Sequence, residues 1–238
     1  MQELNIVFEN DEYLVVNKPA GLLTHGSDHI KEETLIDQIL EKYPEIAGVG
    51  DELSHPGMMH RLDRLVSGLL VIAKTQASFE NLKKQFKERT IKKYYTALVY
   101  GKLLKDEGEI NFPIRRSTKG HKMAAVPETD RGKPSQGVRK AKTIFSTIQK
   151  FINYTLLRIR IKTGRTHQIR VHMAAYGHPI VGDPIYNTKM TRIKNKKLNL
   201  ERIFLVATEL MFKDLGGKEQ NFKIDLPKEL QDFMKVVK

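Results

Sequence analysis

Neither cysteine nor tryptophan occurs among the 238 residues. Without cysteine the chain has no disulfide, no thiolate metal ligand and no cysteine nucleophile, a composition compatible with a reducing, cytoplasmic setting. Long apolar runs are missing too. No stretch reaches the roughly 18 residues needed to cross a bilayer, and Met1 to Phe8 lack the basic-then-apolar order of an export signal. There is no Gly-rich phosphate loop of the Walker or dinucleotide kind, and no G-x-S-x-G turn to make Ser67 a nucleophile. His167 and His172 are five residues apart. That misses the i,i+4 spacing that sets two ligands on one helical face, so no metal site is expected even with His60 added. Acidic residues are scarce, with 28 Asp+Glu against 41 Lys+Arg, a net charge of +13. Such a balance points to a polyanionic partner, nucleic acid first.

What is present suits one large domain over residues 1–238, with 40% hydrophobic residues to build its core. Asn5 to Phe8 and Tyr13 to Asn17 read as an opening hairpin. Thr34 with Asp37 three residues on predicts a capped helix through Leu35, Ile36, Ile39, Leu40 and Tyr43, ended by Pro44. The apolar run Gly68 to Ala73 has the length and composition of a buried strand, with a short buried helix left open by periodicity alone, and Thr75 begins a helix with Phe79, Leu82 and Phe86 on one stripe. Lys92 to Gly101 is a strand on which Tyr95, Ala97 and Val99 share one face and Tyr94, Thr96, Leu98 and Tyr100 the other.

Basic loops are expected over about 113–142, with at most short strands, and over 189–202, a stretch ambiguous between loop and helix. Alternation at Leu157, Ile159 and Ile161 marks a strand, and a helical pattern follows at Ile169, His172, Met173 and Tyr176. Arg165 falls between the two, beside backbone amides suited to an anion. Ile203 to Thr208, Glu209 to Phe212 and Phe222 to Leu226 read as closing strands, and Asp232 to Lys238 as a tail.

One carboxylate stands out. His60-Arg61-Leu62-Asp63-Arg64 sets Asp63 between two arginines, which favour its charged form, at the edge of the apolar run. From these residues alone an ordinary turn Asp paired with Arg61 or Arg64 is the simpler reading.

Several segments together resemble the RluA-type family of RNA pseudouridine synthases. They are Asn17-Lys18-Pro19-Ala20-Gly21, then His60-Arg61-Leu62-Asp63 with Ser67-Gly68-Leu69-Leu70, then Lys93-x-Tyr95-x-Ala97-x-Val99-x-Gly101. Gly164-Arg165-Thr166-His167-Gln168-Ile169-Arg170-Val171-His172 and Gly177-His178-Pro179-Ile180-x-Gly182-Asp183-x-x-Tyr186 continue the match. The resemblance runs over roughly residues 5 to 212. Two departures are visible. Leu65-Val66 stands where the family usually has Asp-Thr, removing a carboxylate and a hydroxyl from the loop that carries Asp63. The chain also opens directly on the first catalytic-domain strand, where family members often carry a small S4 domain, so RNA selectivity is expected from the catalytic domain itself.

The resemblance implies an α+β fold with a largely antiparallel mixed sheet, packed helices and a central active-site cleft. It implies isomerisation of uridine to pseudouridine in ribosomal or transfer RNA, with no cofactor and no metal. Asp63 is then the essential carboxylate, whether as nucleophile or as base. Arg165 faces it as the balancing cation, and Tyr95 stacks on the uracil. Arg61 braces the space left by the flipped nucleotide, and Arg115, Arg116, Lys119 and Lys122 are expected to contact phosphates. The expected enzyme is cytoplasmic and monomeric, with RNA as partner, no membrane and no obligate protein partner. Two rivals are a glycoside hydrolase, which normally needs a second carboxylate that nothing here supplies, and a catalytically silent RNA-binding or ribosome-assembly factor on the same fold.

Overall fold

The computed structural model describes residues 3–26, 32–117, 122–126, 137–198 and 200–237. In chain order the strands and helices begin with β1 (Ile6–Glu9), β2 (Tyr13–Lys18), α1 (Leu35–Lys42), β3 (Ser67–Ala73), α2 (Gln76–Glu88) and β4 (Lys92–Tyr100). There follow β5 (Glu107–Ile110), β6 (Ile114–Arg116), β7 (Met123–Ala125), β8 (Thr143–Lys150), β9 (Tyr154–Ile161) and α3 (Gln168–Ala175). The chain closes with α4 (Lys189–Lys197), β10 (Leu205–Lys213), β11 (Glu219–Lys223) and α5 (Lys228–Val236). They form two compact units, one of residues 1–93 with 207–225, the other of residues 94–206 with 226–238.

In the first unit β1, β2 and β3 follow one another in the sheet, antiparallel at both steps, and β11 pairs antiparallel with β10. Every residue of β3 is buried, and each large apolar side chain removed from water contributes about 1.5–3 kcal/mol. Gly68 is required there. Its φ is +122°, and a Cβ at this position would collide with the backbone of Ala207, so only the absence of a side chain lets β3 lie against that segment. Thr34 caps α1 through a reciprocal pair with Asp37, as the spacing predicts. Thr75 caps α2, which ends at Arg89 in the left-handed region. Beyond Tyr43 the chain continues as a 3₁₀ turn over Pro44–Gly48, because Pro is well placed in a first helical turn.

The second unit holds β4, β9, β8 and β5 in that order, with β9–β8 and β8–β5 antiparallel, and a separate antiparallel hairpin of β6 and β7. Four readings from sequence change. The basic stretch at 189–202 begins as helix α4, because the Thr188 side chain accepts from the Thr191 amide and caps its first turn. The two strands expected between Ile203 and Phe212 merge into one, β10. Asp232 to Lys238 is not a tail: most of it belongs to α5, whose Leu230 and Phe233 are buried, with Phe233 packed 6.2 Å from Phe204. Strands β5 and β8 are additions, since Thr143–Lys150 mixes polar and apolar residues without a clear period.

The segment that leads into Asp63 is fastened in the first unit by His60. Its Nε2 accepts from the Val71 amide of β3 at 3.1 Å, which leaves the proton on Nδ1, and its ring lies 4.8 Å from that of Phe86. Burial pushes the imidazole well below its usual range, and nearby Lys93 adds to the effect. Burial also pushes Lys93 down to about 8. A histidine held neutral by folding stabilises the chain above its unfolded value near 6.5, and that stability is lost as pH falls toward the folded value. Between pH 7 and pH 5 the unfolded chain takes up a proton on this imidazole that the folded chain resists, so stability should fall. His60→Gln, which keeps an acceptor for Val71, should show a shallower fall in denaturation midpoint over that range. Parallel pH curves for the two proteins would contradict this.

Candidate active site

Asp63 sits, half-buried, in a turn closed by the Val66 amide donating to the Asp63 carbonyl at 3.0 Å, immediately before β3. The neighbours that hold this turn come from the end of β2 and the loop after it. Lys18 is fully buried, and its ammonium donates to three carbonyls: Leu22 at 2.7 Å, Pro19 at 2.8 Å and Arg64 at 3.2 Å. A buried ammonium is tolerated only when its donors are satisfied, so Lys18 fixes the Pro19–Leu22 bend and the Asp63 turn together. Gly21, at φ +92°, brings its amide to the Arg64 carbonyl at 2.8 Å, and Arg64 Nε donates back to the Gly21 carbonyl at 3.0 Å. On the other side of Asp63, the buried Thr24 hydroxyl donates to the Leu62 carbonyl at 2.9 Å and accepts from the Leu62 amide at 3.3 Å.

This bracing answers the Leu65-Val66 departure. The turn is held by backbone groups, Lys18 and Thr24, and Val66 serves as a core residue at 2% exposure. Arg64 also reaches Glu32 at 2.7 Å on the surface, which accounts for one of the two arginines beside Asp63. The other, Arg61, is exposed and donates from Nη1 to Nε2 of His25 at 2.9 Å. His25 in turn lies 4.9 Å from the ring of His55 in a stacked arrangement, and burial lowers its affinity for a proton. It is therefore neutral near pH 7, as an acceptor must be.

In the second unit Tyr95 is buried in β4. On the opposite face of the strand, Arg158 lies 3.7 Å from the ring centroid of Tyr94. Arg165 occupies the turn between β9 and α3. Its amide donates to Gln168 Oε1 at 3.1 Å and its Nε to the Lys140 carbonyl at 3.2 Å. Gln168 is itself fixed, accepting from Thr163 and donating to the Lys142 carbonyl and to Thr143. His167 takes the left-handed conformation at φ +55°, and its Nδ1 lies 2.8 Å from the Tyr186 hydroxyl. That hydroxyl also accepts from the Met123 amide of β7. Tyr186 thus ties the β6–β7 hairpin to the Arg165 turn, and a cluster of Ile114, Ala141, Val171 and Tyr186 packs beneath.

The hairpin carries Arg115 and Arg116, two of the residues expected to contact phosphates. Arg115 and Arg116 pair in register with Ala124 and Met123, and the Ser117 amide donates to the carbonyl of Lys122. Lys119 lies outside the described residues. On α3, Arg170 forms a buried bidentate pair with Asp183 at 2.8 and 3.0 Å, and Asp183 also accepts from the amides of Ile185 and Tyr186. Among the described residues no three His, Asp or Glu side chains cluster closely enough to hold a metal ion. None of the described helices is long and apolar enough to cross a membrane.

Lys18, Thr24 and Tyr186 were missed as functional supports. For Lys18 a signal existed: a lysine at the end of an apolar strand, just before Pro19, has few places to put its charge. Thr24 carries no such local mark and Tyr186 is marked only by the resemblance, because each acts on a segment distant in sequence.

A family model described as RNA pseudouridylate synthase matches residues 12–175. A ribosomal large subunit pseudouridine synthase D of Zymomonas mobilis is 35% identical over 98% of this chain and 73% of its own length. An uncharacterized RNA pseudouridine synthase of Synechocystis is 37% identical over 78% of this chain and 55% of its own, so the chain spans only part of these relatives. Among solved structures, human RNA pseudouridylate synthase domain containing 1 is similar with a TM-score of 0.71 and 26% identity, covering 95% of this chain and 84% of that one.

Replacing Lys18 by Met takes the ammonium from three carbonyls; that of Arg64 keeps the Gly21 amide, while those of Pro19 and Leu22 lose this donor at roughly 1–3 kcal/mol each before relaxation. Lys18→Met should lower the denaturation midpoint and loosen the Asp63 turn, seen as faster amide exchange at Val66. An unchanged midpoint with unchanged Val66 protection would show that the ammonium does not hold the turn.

Proposed function

The chain belongs to the RNA pseudouridylate synthase family, and on that premise we propose that it isomerises uridine to pseudouridine within ribosomal or transfer RNA. What carries the reading is that the family match over residues 12–175 takes in Asp63, Tyr95 and Arg165 together. The N1–C1′ bond breaks, the uracil turns, and C5 bonds to C1′; the proton lost from C5 is balanced by the one gained at N1. Asp63 supplies the essential carboxylate, as nucleophile or base, and a rigid turn around it suits a group that must meet its target in one geometry. Arg165 provides the cation that balances that carboxylate. Tyr95 stacks on the uracil and assists removal of the C5 proton.

A uridine within RNA must leave its stack before it can react, at a cost of a few kcal/mol. Arg61 braces the vacated space, and Arg115, Arg116, Lys119 and Lys122 offset the cost by engaging phosphates, which adds salt dependence. The name of the Zymomonas relative favours large-subunit ribosomal RNA as the substrate. The enzyme acts in the cytoplasm as a monomer. The rival reading, a silent RNA-binding factor, draws on the Leu65-Val66 pair, and it loses force because the turn is braced without those side chains.

Wild-type protein should release tritium from C5-labelled uridine in ribosomal RNA taken from cells lacking it. Asp63→Asn should reduce release to background while RNA affinity stays within about threefold, the pattern of a group used in the chemical step alone. Release by Asp63→Asn at the wild-type rate would remove Asp63 from the chemistry.

A further inference from the structure

Helix α4 is a nine-residue segment with five cations, Lys189, Arg192, Lys194, Lys196 and Lys197, and no acid. Lys189–Arg192, Arg192–Lys196 and Lys194–Lys197 are like-charge pairs at helical spacing, which destabilises an isolated helix. Lys189 adds an unfavourable charge at the positive end of the dipole. The fold holds the helix in place regardless. Thr188 and Thr191 form a capping pair at its start. Near its end, Asn195 Oδ1 accepts from the Tyr100 hydroxyl at 2.6 Å and the Gly182 amide at 2.9 Å, while its Nδ2 donates to the Asp183 carbonyl at 3.2 Å.

Thr191 and Asn195 face inward, and all five cations are exposed. None of the five forms an ion pair with a carboxylate among the described residues; Arg192 Nε donates to Asn187, and Lys194 lies 5.8 Å from the Tyr100 ring centroid. Lys83, Lys142, Lys150 and Lys235, by contrast, each sit within 3 Å of an acid. Met190 and Ile193, 66% and 52% exposed, lie between the cations on the outward side. A helix that binds a membrane surface instead segregates an apolar face from its cations. At about 13 Å the helix is longer than the screening length in physiological salt, so its ends can engage separate phosphates.

We propose that α4 is an RNA-docking element, separate from the β6–β7 hairpin, that seats on the sugar-phosphate backbone of the substrate RNA. The inference rests on the RNA-modifying reading for the identity of the polyanion. It assigns α4 to positioning, with affinity and salt dependence as its contribution and no part in the chemical step.

The test is Arg192→Gln/Lys194→Gln/Lys196→Gln/Lys197→Gln in the full chain, with filter binding to ribosomal RNA across salt concentrations. Affinity should fall at least about tenfold near 0.15 M salt, and the slope of log affinity against log salt should lessen by about 2–4, roughly one for each phosphate no longer neutralised. Turnover at saturating RNA should be unchanged. Removing two ordinary surface lysines, Lys83→Gln/Lys235→Gln, should leave affinity and slope near wild type. If the quadruple variant is poorly folded by thermal melt, Arg192→Gln/Lys196→Gln should still lessen the slope by about 1–2. Wild-type affinity and slope in a folded variant would overturn the proposal. So would an equal loss in the Lys83/Lys235 control, or loss of binding only to phosphatidylglycerol vesicles. Binding is read apart from tritium release: lost affinity with no release by wild type contradicts the enzyme reading alone, while release with unchanged affinity in the variant contradicts the docking role alone.

Discussion

A buried ammonium holds the turn on which the proposed chemistry depends. Lys18 gives its three protons to carbonyls of Pro19, Leu22 and Arg64. It thereby joins the end of β2, the bend after it and the residue that follows Asp63. An exposed lysine would contribute little here, because water competes for every bond. Inside the protein the alternative is an unsatisfied charge, which is far more costly than the loss of a hydrogen bond at the surface. The turn is therefore fixed by the penalty for moving it, and Thr24 applies the same logic to Leu62 on the other side.

A comparable arrangement operates in the second unit. The Tyr186 hydroxyl links the β6–β7 hairpin to the turn carrying Arg165, and the Arg170–Asp183 pair ties α3 to the chain that follows it. Buried pairs of this kind add less net stability than their distances suggest, since both charges have been taken out of water. Their contribution is to orientation. Asp183 accepts from the Ile185 and Tyr186 amides as well, so the ring that meets His167 is set by a chain of satisfied polar groups.

Much of this was legible in the sequence wherever one local rule decided the outcome. Thr34 with Asp37 announces the start of α1, and the unbroken apolar run from Gly68 to Ala73 announces the buried strand β3. The resemblance marked Asp63, Tyr95 and Arg165 as a set. Elements that depend on a distant partner were harder. Helix α5 offers only Leu230 and Phe233 as anchors, a stripe too short to separate from a polar tail until Phe204 is seen against it. Strand β8 lacks a clean alternation, and α4 needed Thr188 and Asn195 to overcome its own repulsion. The Leu65-Val66 pair looked like a gap in the polar network of the loop. It is none, because backbone groups and a lysine from another segment hold the turn instead.

The central claim is that this chain converts specific uridines in RNA to pseudouridine. Mapping pseudouridines across ribosomal and transfer RNA, from cells with the protein and from cells lacking it, tests that claim most directly. At least one position should be pseudouridine only when the protein is present and should return with wild-type protein but not with the Asp63→Asn variant. Identical maps with and without the protein would contradict the account.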